Sequence, residues 1–178
     1  TDIKDLYFGK VKRGKKPELV KGDISEALRK NFTRRVLVGK TAQIFDPLGL
    51  LTPITAKLKL DLHELVSLKL DWDTKIDEKF LEPWVSNLVM INELRLVTFP
   101  RAVIPENAKT PIMTLIVSCD SSQHIAIGSV HARFELRDNS FSCQLITAKS
   151  KLVKASSIPR GELKGAVLAT VLGHTVLK

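Results

Sequence analysis

PIMTLIVSCDSSQHIAIGSVHARFELRDNSFSCQLITAKSKLVKASSIPRGELK, residues Pro111–Lys164, is the stretch that decides the fold. Its first run, MTLIVSCD, reads as a strand in which Leu115, Val117 and Cys119 share one face while Ile116, Ser118 and Asp120 share the other. GSVHARFEL follows with clean alternation: Val130, Ala132, Phe134 and Leu136 point one way, and Ser129, His131, Arg133 and Glu135 the other. Such alternation predicts an antiparallel strand with one wet face. Asp138, Asn139 and Ser140 supply hairpin chemistry before Phe141, Cys143 and Leu145. IPRGELKGAVLATVL then changes to helical spacing, starting at about Pro159, whose fixed φ suits a first helical position. Leu163, Ala166, Val167, Thr170, Val171 and His174 are expected to form the buried stripe of that helix. The order is strand, strand, strand, helix.

Two carboxylates stand at the joints of this order. Asp120 closes the first strand and Glu162, at the edge of the helical stripe, lies in the first turns of the helix. Gly161, Gly165 and Ala166 are small enough for the helix to approach the sheet closely, so the two acids can meet. Paired carboxylates hold divalent ions that position a water and stabilise the leaving oxygen of a phosphodiester. Each acid alone also has a plainer role: an Asp before Ser121 and Ser122 caps a turn, and a Glu in a first helical turn complements the helix dipole.

Working outward, a hydrophobic fraction of 44% with 26% charged residues fits a globular chain of 178 residues, one domain or two small ones. No apolar run reaches the ~18 residues of a membrane helix, and the basic N-terminus has no signal-peptide core. An intracellular, cytoplasmic location is therefore expected, without membrane partners. Two cysteines, Cys119 and Cys143, suit small buried positions in strands and are too few for a disulfide framework. The four histidines show no zinc spacing. Net charge is +9, and residues Thr1–Lys40 hold 12 Lys/Arg against 5 Asp/Glu, a surplus of +7. After Phe141 only Glu162 opposes Lys149, Lys151, Lys154, Arg160, Lys164 and Lys178. Excess positive charge beside paired acids favours a polyanion through counterion release, and Lys149, Lys151, Lys154 and Arg160 are the candidate nucleic-acid contacts.

Upstream, DLYFGKV reads as a short strand beside which GKKPELV returns. Thr33 caps a helix carrying Val36, Leu37, Lys40, Ile44 and Phe45. Asp46-Pro47 ends it, Gly49 permits a tight turn, and Thr52-Pro53 starts a second helix with a stripe of Leu58, Leu62, Leu65 and Val66. Asp46 is read as a cap, not a catalyst. Asp77 is expected to cap a third helix running through Ile91, in which Pro83 lies too deep unless the helix starts near Leu81. Trp72 and Trp84 could serve as stacking platforms for bases but in an aromatic-poor chain are expected as core anchors, and Arg101–Thr110, which loses periodicity, is expected as a linker.

TRRVLVGKTAQIFDPLGLLTPITAKLKL, LDWD, FPR, VSCDSSQHIAIGSVHAR and ITAKSKLVKASSIPRGELKGAVLA, in this order, resemble the Pol polyprotein of BEL/Pao retrotransposons from Thr33 to the end of the chain. The resemblance implies an α+β chain: a mainly helical reverse transcriptase thumb/connection-like region over 1–110, then an incomplete ribonuclease H-like domain over 111–178, with a three-stranded meander and first helix. It carries the family's first Asp onto Asp120 and its Glu onto Glu162, as catalytic residues and as ligands of Mg²⁺ or Mn²⁺. The family's usual Asp-Ala-Ser and Tyr-Gly-Ala stand here as DSS and IGS, so Ile127 replaces a tyrosine. No Tyr-x-Asp-Asp occurs, which places the polymerase's own acids upstream, and the remaining nuclease acids are expected beyond Lys178. Implied partners are an RNA/DNA hybrid or other nucleic acid and the remainder of the Pol polyprotein, in the cytoplasm or in virus-like particles. Two other functions fit the same residues. One is an aspartic peptidase, a label commonly attached to this region of Pao elements, although Asp120-Ser121-Ser122 lacks the glycine of that motif. The other is a non-catalytic nucleic-acid-binding remnant.

Overall fold

The computed structural model describes residues 6–7, 21–42, 44–94, 97–100, 102–110, 112–154 and 157–178. These fall into two compact units, Thr1–Phe45 with Asp61–Phe99 and Asp46–Leu60 with Pro100–Lys178. The division falls within a helix.

In the first unit, helix α1 (Lys21–Lys30) buries Ile24 and Leu28, and Phe32 continues their i, i+4 line. This helix is not anticipated from the sequence, and GKKPELV lies outside the described residues. Strand β1 (Leu6–Tyr7) pairs antiparallel with β2 (Thr98–Phe99). Helix α2 (Arg34–Thr41) starts as expected, with the Thr33 hydroxyl accepting from the Val36 N–H at 3.4 Å. Leu37 is fully buried. The helix stops at Thr41, short of Ile44 and Phe45, and Phe45 is exposed. Asp77 caps a 3-10 turn (Glu78–Phe80), accepting from the Lys79 N–H at 3.0 Å. Helix α4 (Leu81–Glu93) follows, with Pro83 in its first turn, where its missing N–H is owed no partner. Trp84 is 2% exposed and anchors the core beside Leu81 and Val85. Buried Asn87 is satisfied by donating to the Asp61 carboxylate at 2.7 Å. Trp72 departs from expectation: it is 46% exposed, because it sits at the tip of a turn and not on a helical face.

In the second unit, the Asp46 carboxylate accepts from the N–H groups of Leu50 and Leu51 at 2.9 and 2.8 Å. Those donors open helix α3 (Thr52–Ser67), so the cap role holds. Asp46→Ala should cost about 1–2 kcal/mol by orphaning both, and Asp46→Asn less; urea denaturation followed by circular dichroism measures this. Leu58 of α3 is buried as expected; in the part of the helix that belongs to the first unit Leu65 is buried as well, whereas Val66 is 43% exposed.

Strands β3 (Thr114–Ser121), β4 (Ile125–Glu135) and β5 (Phe141–Leu152) form the antiparallel meander in the order β3-β4-β5. Val130, Ala132 and Phe134 are fully buried, as the alternation requires. Asn139 takes a φ of +67° in the hairpin turn, where the Asp138 carboxylate accepts from the N–H and hydroxyl of Ser140. The segment 102–110 is no free linker. The Lys109 N–H donates to the Glu135 carbonyl at 2.8 Å, the Arg137 N–H donates to the Asn107 carbonyl at 3.0 Å, and the Lys109 ammonium pairs with the Glu135 carboxylate. Hydrogen-bonding groups at the β4–β5 turn recruit this segment, an interaction that periodicity cannot reveal.

Helix α5 (Ile158–Val176) closes the unit and corrects the expected stripe. Its buried line is Gly161, Gly165, Ala169 and Gly173, while Leu163, Val167 and Val171 are 57–65% exposed and Thr170 and His174 are exposed too. Both lines repeat every four residues, so periodicity alone does not choose between them. Close approach does: a Cβ on Gly128 would lie 3.0 Å from the Ala169 backbone, and one on Gly173 would lie 3.0 Å from a Val117 methyl. Cys119 and Cys143 are also exposed, against expectation, since each lies on an outer strand of the three.

Candidate metal and nucleic-acid site at one end of the sheet

Register and helix packing together locate the two acids. A Cβ on Gly165 would lie 3.2 Å from the Asp120 carbonyl oxygen and 3.7 Å from the Cys119 Cβ, and Gly173 meets Val117. Helix α5 therefore runs antiparallel to β3: eight helical residues rise ~12 Å and three strand residues ~10 Å, a matched pair of spans. Glu162, one turn before Gly165, is carried to the end of β3 where Asp120 sits. Both side chains are exposed.

The acids share an end of the sheet but not a face. Val117 and Cys119 point toward α5, so alternation sends Asp120 out on the opposite side, with its register partner Ile127 and then Ser150. There its carboxylate accepts from the Ser121 N–H at 2.8 Å. The expectation that strand face and helix stripe aim both acids inward thus fails on the strand side, because helix-facing positions of β3 carry odd numbers.

The same end gathers cations. Register places Lys151 opposite Ala126 and Lys149 opposite Gly128, hence on the face that α5 covers, and both are exposed. Arg160 lies in the first turn of α5, and the Lys154 carbonyl accepts from the Lys164 ammonium at 2.9 Å. One cation that sequence reasoning missed is Lys59 of α3, on the Asp120 face. Its ammonium donates to the Ser150 hydroxyl and carbonyl at 2.9 and 3.1 Å. Burial pushes its pKa down, and the nearby Lys149 charge adds to that, while Asp46 opposes it. A lysine within a helix carries no sequence signal for such a contact.

The donor set suits a hard cation, since Mg²⁺ is commonly held by one or two carboxylates and water. Among the described residues, no group of three or more His, Cys, Asp and Glu side chains gathers to hold a metal. Two acids can anchor one ion, and further ligands would have to come from elsewhere.

An antiparallel meander crossed by a helix, with an acid at the end of the first strand and another at the start of the helix, defines an α+β module of ribonuclease H-like class. Residues 33–178 match the family model for the Pao retrotransposon-like RNaseH-like domain, and the chain belongs to that family. Comparison with curated proteins and with solved structures returned no match. No described helix is long and apolar enough to cross a membrane.

Proposed function

We propose that this chain is the part of a Pao-type Pol polyprotein that holds an RNA/DNA hybrid during reverse transcription and contributes the first two acids of a metal-dependent ribonuclease H site. The observation that carries this is the placement of the Glu162 turn of α5 at the Asp120 end of β3, through the Gly165 approach, in a chain of this family. Asp120 and Glu162 would hold Mg²⁺ or Mn²⁺. The ion would supply a polarised water and charge stabilisation at the phosphate. Sharing one ion requires Asp120 to release the Ser121 N–H and turn around the strand end, which its exposure permits. Lys149, Lys151, Lys154 and Arg160 would bind phosphates and set the register of the hybrid without reading its sequence.

The hybrid-binding half is tested by titration at two ionic strengths. Affinity should be weak, indifferent to base sequence and steeply reduced by salt, with a log–log slope of roughly −0.9 per phosphate neutralised. Lys149→Gln with Lys151→Gln should make that slope shallower by about two. Binding that ignores salt, or a slope unchanged by the double substitution, would remove these lysines from the interface.

A further inference from the structure

Trp72 is held in a way that an ordinary exposed turn residue is not. The Arg34 guanidinium stacks on the indole at 4.2 Å from its centroid, and that of Arg35 lies 5.8 Å away. Arg34 also donates to the Leu70 carbonyl at 2.9 Å, and the Arg35 N–H donates to the Trp72 carbonyl at 3.1 Å. Arg35 grips Asp73 with two bonds, at 2.7 and 2.9 Å. The Ile76 N–H donates to the Phe32 carbonyl at 2.9 Å, and Thr33 bridges to Lys75. The turn is thus tied down on both sides of the tryptophan, yet 46% of that residue stays open to solvent. The Arg34 Nε–H is buried and meets no acceptor among the described residues.

An apolar ring held rigid at a solvent-facing tip is preorganised to cover another flat surface. Its surroundings select the kind of surface. Arg34 and Arg35 lie against it, Lys69 and Lys75 stand three residues away on either side in sequence, and of the two acids adjacent in sequence, Asp71 and Asp73, the second is matched by Arg35. We propose that Trp72, pinned by Arg34 and Arg35, is a stacking platform for an unpaired nucleobase, with the neighbouring cations contacting the adjoining phosphates. This deepens the nucleic-acid reading and rests on it. A paired, stacked base offers no free face, so the platform favours single strands or strand ends over blunt duplex, and it tolerates any base.

The two tryptophans make the test direct, because Trp84 is 2% exposed and only Trp72 is open to a ligand. The probes are a short oligo-dT strand and a blunt duplex with the same number of phosphates, each titrated into the whole chain. Oligo-dT should quench tryptophan emission, and the duplex should not. Trp72→Ala should weaken oligo-dT binding about tenfold, within the range of a single base–aromatic stack, with duplex affinity unchanged. Trp72→Phe, which keeps a ring and guards against a folding defect, should retain most of the affinity. Binding of oligo-dT by anisotropy, with no quenching and no loss in either variant, would overturn the platform and leave the nucleic-acid reading standing. No binding of either probe would overturn both. Self-association that depends on Trp72, with oligo-dT affinity unaffected, would assign the ring to a protein contact and overturn the platform.

Discussion

Gly49→Ala should detach the Asp46–Leu60 segment from the C-terminal sheet. Gly49 has a φ of +73°, where an added Cβ costs roughly 1–2 kcal/mol in backbone strain alone. That Cβ would also lie 1.7 Å from the Ala148 carbonyl oxygen and 2.6 Å from its carbon. Both are backbone atoms of β5, so neither can swing aside as a side chain could. Relief requires the turn to lift away, which breaks the bonds from the Ala148 N–H and the Thr147 hydroxyl to the Leu48 carbonyl, at 2.9 and 2.8 Å. At about 1 kcal/mol each, these bring the expected loss to about 3–4 kcal/mol, a large share of a domain's stability. Gly39→Ala is the matched control, since Gly39 lies within α2 and its Cβ would meet nothing within 4 Å. It should be neutral or stabilising by up to about 1 kcal/mol. Both tryptophans belong to the first unit, so the readout must be urea denaturation by circular dichroism with amide exchange along β5. Equal stability of the two variants would mean that the turn does not sit on β5.

Features whose cause is local were legible before the structure. Thr33, Asp46 and Asp77 cap where their side chains reach a nearby N–H, and Val130, Ala132 and Phe134 are buried because alternation admits one inward face. The misses share a different cause. For the α5 face hydrophobicity selects Leu163, Val167 and Val171, whereas the buried line of Gly161, Gly165, Ala169 and Gly173 is chosen by how near a backbone must come to another. Size alone assigns Trp72 to the core, although an arginine pair on a neighbouring helix can hold an indole at the surface. The docking of 102–110 along the hairpin, and of Leu48 on β5, depends on backbone groups that every sequence possesses. For the candidate site, the identities of the acids followed from the family pattern and their shared end of the sheet from element order. Their faces did not, because the residue of β3 that meets α5 is set by helix depth and register together.

Substitution of Asp120 or Glu162 should have the largest effect on activity, and only where the rest of the site is present. Two carboxylates can retain one ion loosely, but in-line displacement between two ions needs further acids to fix both relative to the scissile phosphate. Among the described residues these are absent: Glu135 is engaged with Lys109, and Asp138 is committed to the Ser140 turn. Residues 1–178 alone should therefore cleave labelled RNA in an RNA/DNA hybrid weakly or not at all with Mg²⁺ or Mn²⁺. A longer Pol chain that contains them should cleave it, and either Asp120→Asn or Glu162→Gln should lower that rate by at least about 10²–10³, the cost of losing one preorganised electrostatic partner. The double variant should fall little further, because ligands of a shared ion act as a unit. Both variants should keep hybrid affinity when metal is withheld if, as proposed, the phosphate contacts come from the lysines. Robust cleavage by residues 1–178 that disappears with Asp120→Asn would show the two acids to be sufficient. Cleavage by the longer chain that survives both substitutions would place the chemistry elsewhere.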